Sequence, residues 1–126
     1  MQVLPGVAER DFDRFAAGLT AIQDANGSYF APAQGGGMYV SGAVGGVLRF
    51  VRERFPGAVG QSSWGPTGFA FVPSQAVADE AIAALRAAGQ VEPGIRLVTV
   101  RGRNRGARIA SMTPPGGAET SEARDR

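Results

Sequence analysis

The chain is organised around Gly60-Gln61-Ser62-Ser63-Trp64-Gly65-Pro66-Thr67-Gly68, a span of three glycines, one proline and three hydroxyl residues that holds the only tryptophan. The strand-like run Phe69-Ala70-Phe71 follows at once. Glycine lets the backbone take positive φ and approach a ligand closely, and successive amide N–H groups in such a turn can form an anion-binding concavity. Ser62, Ser63 and Thr67 add short hydroxyl donors, so phosphate or carboxylate is the natural ligand. A second reading is purely structural: a glycine-rich hairpin turn with a half-buried tryptophan.

Composition narrows the chemistry open to such a loop. The chain of 126 residues is 44% hydrophobic, enough for one domain with a modest core and too short for two full ones. All 13 basic residues are arginine, and cysteine and histidine are both absent. Disulfides, thiolate nucleophiles and zinc–thiolate sites are thereby excluded, as is the commonest general base. The net charge is only +2, although the sequence pI is about 9.9. No apolar run approaches the ~20 residues needed to cross a bilayer, and Met1-Gln2-Val3-Leu4-Pro5-Gly6 lacks the features of a signal peptide. A cytoplasmic protein without a membrane partner is expected.

Periodicity places the elements around the loop. Residues 8 to 25 read as a first helix with Phe12, Phe15, Leu19 and Ile22 on one face, acidic residues in its first turn, and Asn26-Gly27 as its stop. The segment from Ser28 to Val40, with two aromatics, a proline and three consecutive glycines, should be neither helix nor regular strand. Ser41 caps a second helix to about Phe55, with Val44, Val47, Leu48, Val51 and Phe55 as its stripe. Gly45 and Gly46 weaken it, which implies close packing against another backbone or a later start. Ser74 caps a third helix over about Gln75 to Ala88, burying Val77, Ala81, Ile82, Leu85 and Ala88. Phe69 to Val72 and Ile95 to Arg101 read as strands, the second with Ile95, Leu97 and Val100 toward the core. The arginines of Arg101 to Arg108 suit either a phosphate-holding face or a charged edge that discourages strand association, followed by a hairpin at Asn104-Arg105-Gly106. Residues 1–111 thus form the folded unit, and 112–126 a disordered tail. The element order implies an α+β fold, an antiparallel sheet with helices on one face.

The order of three strings adds a family. Leu19-Thr20-Ala21-Ile22-Gln23, then Tyr29-Phe30-Ala31-Pro32-Ala33-Gln34-Gly35-Gly36, then Gln61-Ser62-Ser63-Trp64-Gly65-Pro66-Thr67-Gly68-Phe69 together resemble the β-ribofuranosylaminobenzene 5′-phosphate synthase family of the GHMP kinase superfamily. The third string matches the glycine-rich loop of that superfamily's C-terminal domain. The resemblance implies a ferredoxin-like sheet, incomplete here because residues 1 to 7 supply the preceding strand poorly. No counterpart of the superfamily's N-terminal phosphate loop occurs in the sequence. The expectation is a C-terminal half that works with a separate N-terminal half or by self-association, and is inactive alone.

The same resemblance implies a reaction. Such synthases join phosphoribosyl diphosphate to 4-hydroxybenzoate or 4-aminobenzoate, releasing CO2 and diphosphate, on the route to tetrahydromethanopterin. Mg2+ is expected as cofactor with its ligands outside this chain, and no ATP requirement is implied. Gln61, Ser62, Ser63, Gly65, Thr67 and Gly68 are the candidate substrate- and phosphate-binding residues, with Trp64 as stacking partner. Tyr29, Gln34, Gly35 and Gly36 are candidates for the substrate cleft. No residue is nominated as acid or base. A non-catalytic binding module of the same fold stays open, as does an arginine-rich nucleic-acid binder, against which the aromatics count because they lie among the glycines and not the arginines.

Overall fold

The structure, a computed structural model, describes residues 2–103 and 105–109. Among these residues, four helices and one β-hairpin make an α+β fold: α1 (Val3–Glu9), α2 (Phe12–Phe30), a 3-10 turn (Ala31–Gln34), α3 (Gly42–Arg54), β1 (Ala58–Gln61), β2 (Gly68–Phe71) and α4 (Gln75–Ala87). β1 and β2 pair antiparallel with Ala58 opposite Phe71 and Gln61 opposite Gly68. No helix among the described residues is long and apolar enough to cross a membrane.

The helix starts follow from side-chain caps. Asp11, Ser41 and Ser74 each stand in extended backbone and accept from the amide N–H three residues on, at Arg14, Val44 and Val77. Each cap satisfies one of the orphan donors of a first turn. α2 therefore begins at Phe12, and residues 3–9 form a separate short helix that ends at Arg10 with φ of 57°. α1 and α2 meet where both lack a side chain: a Cβ on Gly18 would strike Val3, and one on Gly6 would strike the backbone of Phe15.

α2 does not stop at Asn26-Gly27 but runs on to Phe30. Tertiary packing overrides the local stop signal there, since Gly27 lies under the Met38 side chain and Phe30 packs against Trp64. Ile22, expected in the core, is 41% exposed. The stripe turned inward includes Phe15, Ala16 and Leu19 and continues with a polar residue, Gln23.

α3 begins at Gly42, so the glycine pair does not delay it. A Cβ on Gly45 would press on the Tyr39 ring, a side chain rather than a backbone, while Gly46 faces open space. Burial pushes the Tyr39 hydroxyl pKa upward, and the Asp24 carboxylate nearby raises it further against the lowering effect of Arg52 and Arg49. The core is built from Val47, Leu48 and Val51 of α3, Val59 of β1 and Leu85 of α4, all nearly inaccessible. Burying such aliphatic side chains stabilises by roughly 1.5–3 kcal/mol each, before the entropy of ordering is counted. β1 is covered on both sides. Val59 joins the α3–α4 cluster, and the next residue, Gly60, lies against Gln23 of α2.

Ile95 to Arg101 does not form a strand. Ile95 and Leu97 pack against the core as expected, but Val98 is 59% and Val100 81% exposed. The run is rich in β-branched residues, yet among the described residues no strand lies beside it to form a ladder. Ala88 is exposed beyond the end of α4, and Gly89 ends that helix with φ of 64°. The turn read at Asn104-Arg105-Gly106 falls partly, and the tail over 112–126 wholly, outside the described residues.

Candidate functional site

The glycine-rich stretch is the tip of the β1–β2 hairpin. Gln61 and Gly68 are the last paired residues, and Ser62 to Thr67 close the loop. The Ser62 N–H donates to the Thr67 carbonyl at 2.8 Å and the Gly65 N–H to the Ser62 carbonyl at 3.0 Å. Two residues of the tip adopt left-handed backbone, Ser63 with φ of 52° and Gly65 with φ of 73°, and the Gly65–Pro66 peptide is cis. Gly65 is confined as well as twisted, because a Cβ there would collide with Val40 and the Gln61 side chain.

Gln61 ties this tip to the rest of the molecule. Its Nε2 donates to Gln34 Oε1 at 3.0 Å and to the Ser63 carbonyl at 3.1 Å, while its Oε1 accepts from the Val40 N–H at 2.8 Å. Its backbone N–H donates to Gln23 Oε1 at 3.2 Å. Both amide hydrogens of the side chain are thus committed internally. Gln61, a candidate ligand-binding residue, thereby positions the loop against the segment that carries Gln34.

The two stretches singled out in the sequence therefore meet in space. Trp64 lies edge-on to Phe30, with ring centroids 5.0 Å apart, and Phe30 lies edge-on to Tyr29 at 4.9 Å. Such edge-to-face pairs add roughly 0.5–1.5 kcal/mol beyond burial. Tyr29 is 79% and Trp64 65% exposed, so the row presents aromatic surface to solvent. Trp64 is more exposed than the half-buried residue expected of a structural turn.

Beside this row stand the donors. Among the described residues, the hydroxyls of Ser62, Ser63 and Thr67 and the backbone N–H groups of Ser63 and Trp64 have no internal hydrogen-bond acceptor. All lie on exposed residues. Gly35 and Gly36 lie on the far side of Gln34, with φ of 73° and 88°, and the Gly36 N–H closes the 3-10 turn onto Ala31 at 2.7 Å. They offer no side chain, and a Cβ at either would meet nothing within 4 Å. Gly68 faces away, beneath Val44 and Leu48 of α3, and serves packing.

The loop's donor set does not fit Mg2+. That ion takes carboxylate, phosphate and water oxygens in octahedral array, and Ser62 to Thr67 carry no carboxylate. No group of three or more His, Cys, Asp or Glu that could hold a metal lies among the described residues. The acid nearest this region along α2, Asp24, is committed to Arg52 through two hydrogen bonds of 2.7 and 2.8 Å. The Arg52 hydrogen bonds and charge hold the Asp24 carboxyl below its usual range.

Two cavities lie away from the loop. One, of about 480 Å³, is lined by Met38, Tyr39, Arg49, Arg52 and Glu53. The other, of about 530 Å³, runs along α2 past Asp13, Thr20 and Asp24 to Gly57. The candidate site is a projecting surface, not an enclosed pocket.

Two contributors escaped the sequence reading as site residues, Phe30 and Gln23. A signal for both exists: Gln23 and Phe30 are two helical turns apart, and Gln23 is a polar residue in an otherwise apolar stripe. The family described as GHMP kinases C terminal matches residues 3–91, a range that runs from α1 through the hairpin to just past α4. No curated protein and no solved structure matches the chain significantly.

Proposed function

Because the chain belongs to the GHMP kinase C-terminal family, we propose that it is the C-terminal domain of a cytoplasmic transferase of the β-ribofuranosylaminobenzene 5′-phosphate synthase type. Its substrates are phosphoribosyl diphosphate and 4-hydroxybenzoate or 4-aminobenzoate. The observation that carries the reading is the junction made by Gln61. It sets free hydroxyl and amide donors beside an exposed aromatic row, in reach of one ligand with an anionic end and a ring.

In the reaction the bond between ribose C1′ and diphosphate breaks, the ring carbon bearing the carboxylate attacks C1′, and CO2 leaves with its bonding pair returned to the ring. The domain binds and orients. Ser62, Ser63 and Thr67 hydroxyls with the Ser63 and Trp64 N–H groups take the phosphate or carboxylate, and Trp64 with Tyr29 flanks the ring. A water-excluding site needs a second surface over this projecting one, which a phosphate-loop domain or another copy of the chain supplies. No acid or base stands among these donors. That favours as second reading a module that binds the aromatic acid without turning it over.

A turnover assay separates the two. Phosphoribosyl diphosphate, Mg2+ and carboxyl-labelled 4-hydroxybenzoate or 4-aminobenzoate are incubated with the 126-residue chain, alone and with a polypeptide carrying the N-terminal phosphate-loop domain, and labelled CO2 is counted. Release that needs the added domain and falls at least ~10-fold in Trp64→Ala and Ser63→Ala is the expected result. Saturable binding of the benzoate with no CO2 under either condition replaces the synthase by the binding module.

A further inference from the structure

The segment Ile95 to Arg101 and its continuation to Ile109 take no part in the site above. Ile95 and Leu97 anchor the segment on the α3–α4 core. From Val98 to Arg103 the chain forms neither helix nor strand, Val98 and Val100 face solvent, and Ile109 is 95% exposed. Among the described residues, no backbone N–H or C=O from Arg96 to Arg101 has a hydrogen-bond partner. Unpaired backbone bearing β-branched side chains is a template for another strand.

Charge selects the partner. Arg96, Arg101, Arg103, Arg105 and Arg108 are exposed, no acidic residue occurs between Pro93 and Ile109, and none of the five forms an ion pair among the described residues. The Arg103 guanidinium turns back onto the carbonyls of Arg105 and Gly106. Opposite charges directly across a strand pair stabilise it and like charges oppose it. A second copy of this chain would set arginine against arginine. A nucleic acid would leave Val98, Val100 and Ile109 uncovered and find no aromatic ring from Ile95 to Ile109 on which to stack a base.

We propose that Arg96 to Arg103 is a docking edge for an extended segment of a different polypeptide, one that alternates acidic and apolar residues. Its main chain pairs with Arg96 to Arg101, its apolar side chains cover Val98 and Val100 on one face, and its carboxylates meet Arg101 and Arg103 on the other. Docking there leaves the hairpin tip free.

The test uses the 126-residue chain and a fluorescent synthetic peptide alternating glutamate and valine. The controls are a lysine–valine peptide, a backbone N-methylated glutamate–valine peptide and a single-stranded oligothymidylate. Binding is read by anisotropy, and contact by amide hydrogen exchange. The glutamate–valine peptide is expected to bind at least about tenfold tighter than the lysine–valine one and to slow exchange at alternate amides from Arg96 to Arg101. N-methylation abolishes binding. The double substitution Arg101→Glu with Arg103→Glu reverses the preference between the two peptides, a result that loss of folding cannot imitate. The proposal is overturned by equal or absent binding of the two peptides, by indifference to N-methylation, by tighter binding of the oligothymidylate, or by concentration-dependent self-association that protects the same amides.

Discussion

β1 and the Ile95 to Arg101 segment reverse the ranking that strand propensity gives them. β1 is Ala-Val-Gly-Gln, a poor strand former, yet it is paired along its whole length and covered on both faces. Ile-Arg-Leu-Val-Thr-Val-Arg is one of the best strand formers in the chain and is unpaired among the described residues. Propensity in a strand reports how well side chains sit on an already pleated, half-covered surface. β1 obtains that surface from a short hairpin, which brings β2 alongside at little entropic cost, and from α2 and α3 above and below. The later segment has a core on one flank only.

The sharpest probe of this difference is one substitution made in both places. Val59→Thr puts a hydroxyl where no partner is available and is expected to cost about 1–3 kcal/mol in urea denaturation. Val98→Thr should shift stability by less than about 0.5 kcal/mol. Equal costs would mean that the later segment is as closely covered as β1, and the contrast would collapse.

A smaller effect tests how the hairpin tip is held. Gln61→Leu removes the ties to Gln34, Val40 and Ser63 while keeping most of the side-chain volume, and should cost about 1–2 kcal/mol. Faster exchange of the Val40 amide is the local readout, with the α3–α4 core unaffected. An unchanged Val40 amide would show that the loop is held without this side chain.

The smallest effect is expected at Asp24. Its pair with Arg52 is about two-fifths exposed on each side, so solvent screening leaves Asp24→Asn a cost of only about 0.5 kcal/mol. The Asp24 pKa is lowered in the folded state, so the pair's contribution is present above the unfolded value of about 3.9 and is lost as pH falls through the folded value. Wild type and Asp24→Asn should therefore converge in stability at acid pH and separate toward neutrality. A difference that persists undiminished at acid pH would point to packing, not charge.

These contrasts explain which parts of the molecule could be read in advance. α3 and α4 were legible because cap, apolar stripe and stop signal agree within a few turns, from Ser41 to Val51 and from Ser74 to Gly89. The end of α2 was not, because Gly27 is accommodated by Met38, a residue whose position depends on the whole fold. At the candidate site, the composition of the loop and of the Tyr29 to Gly36 segment marked both as unusual, and they do adjoin. The internal use of Gln61 was hidden, since a glutamine that binds ligand and one that binds its neighbours look alike in sequence. The strand expected after Ile95 failed for a related reason: alternation identifies a segment able to pair and says nothing of what lies beside it.

The Gln61 junction has one more consequence. Its side-chain partners are carboxamides and backbone groups, none of which gains or loses a proton between about pH 4 and 9, and the chain has no histidine. The hold of this junction on the proposed binding surface therefore does not change with pH across that interval. If the proposed ligand binds there, a pH dependence of its affinity would not arise from this junction letting go, and the ionisation of the guest itself becomes the first place to look for it.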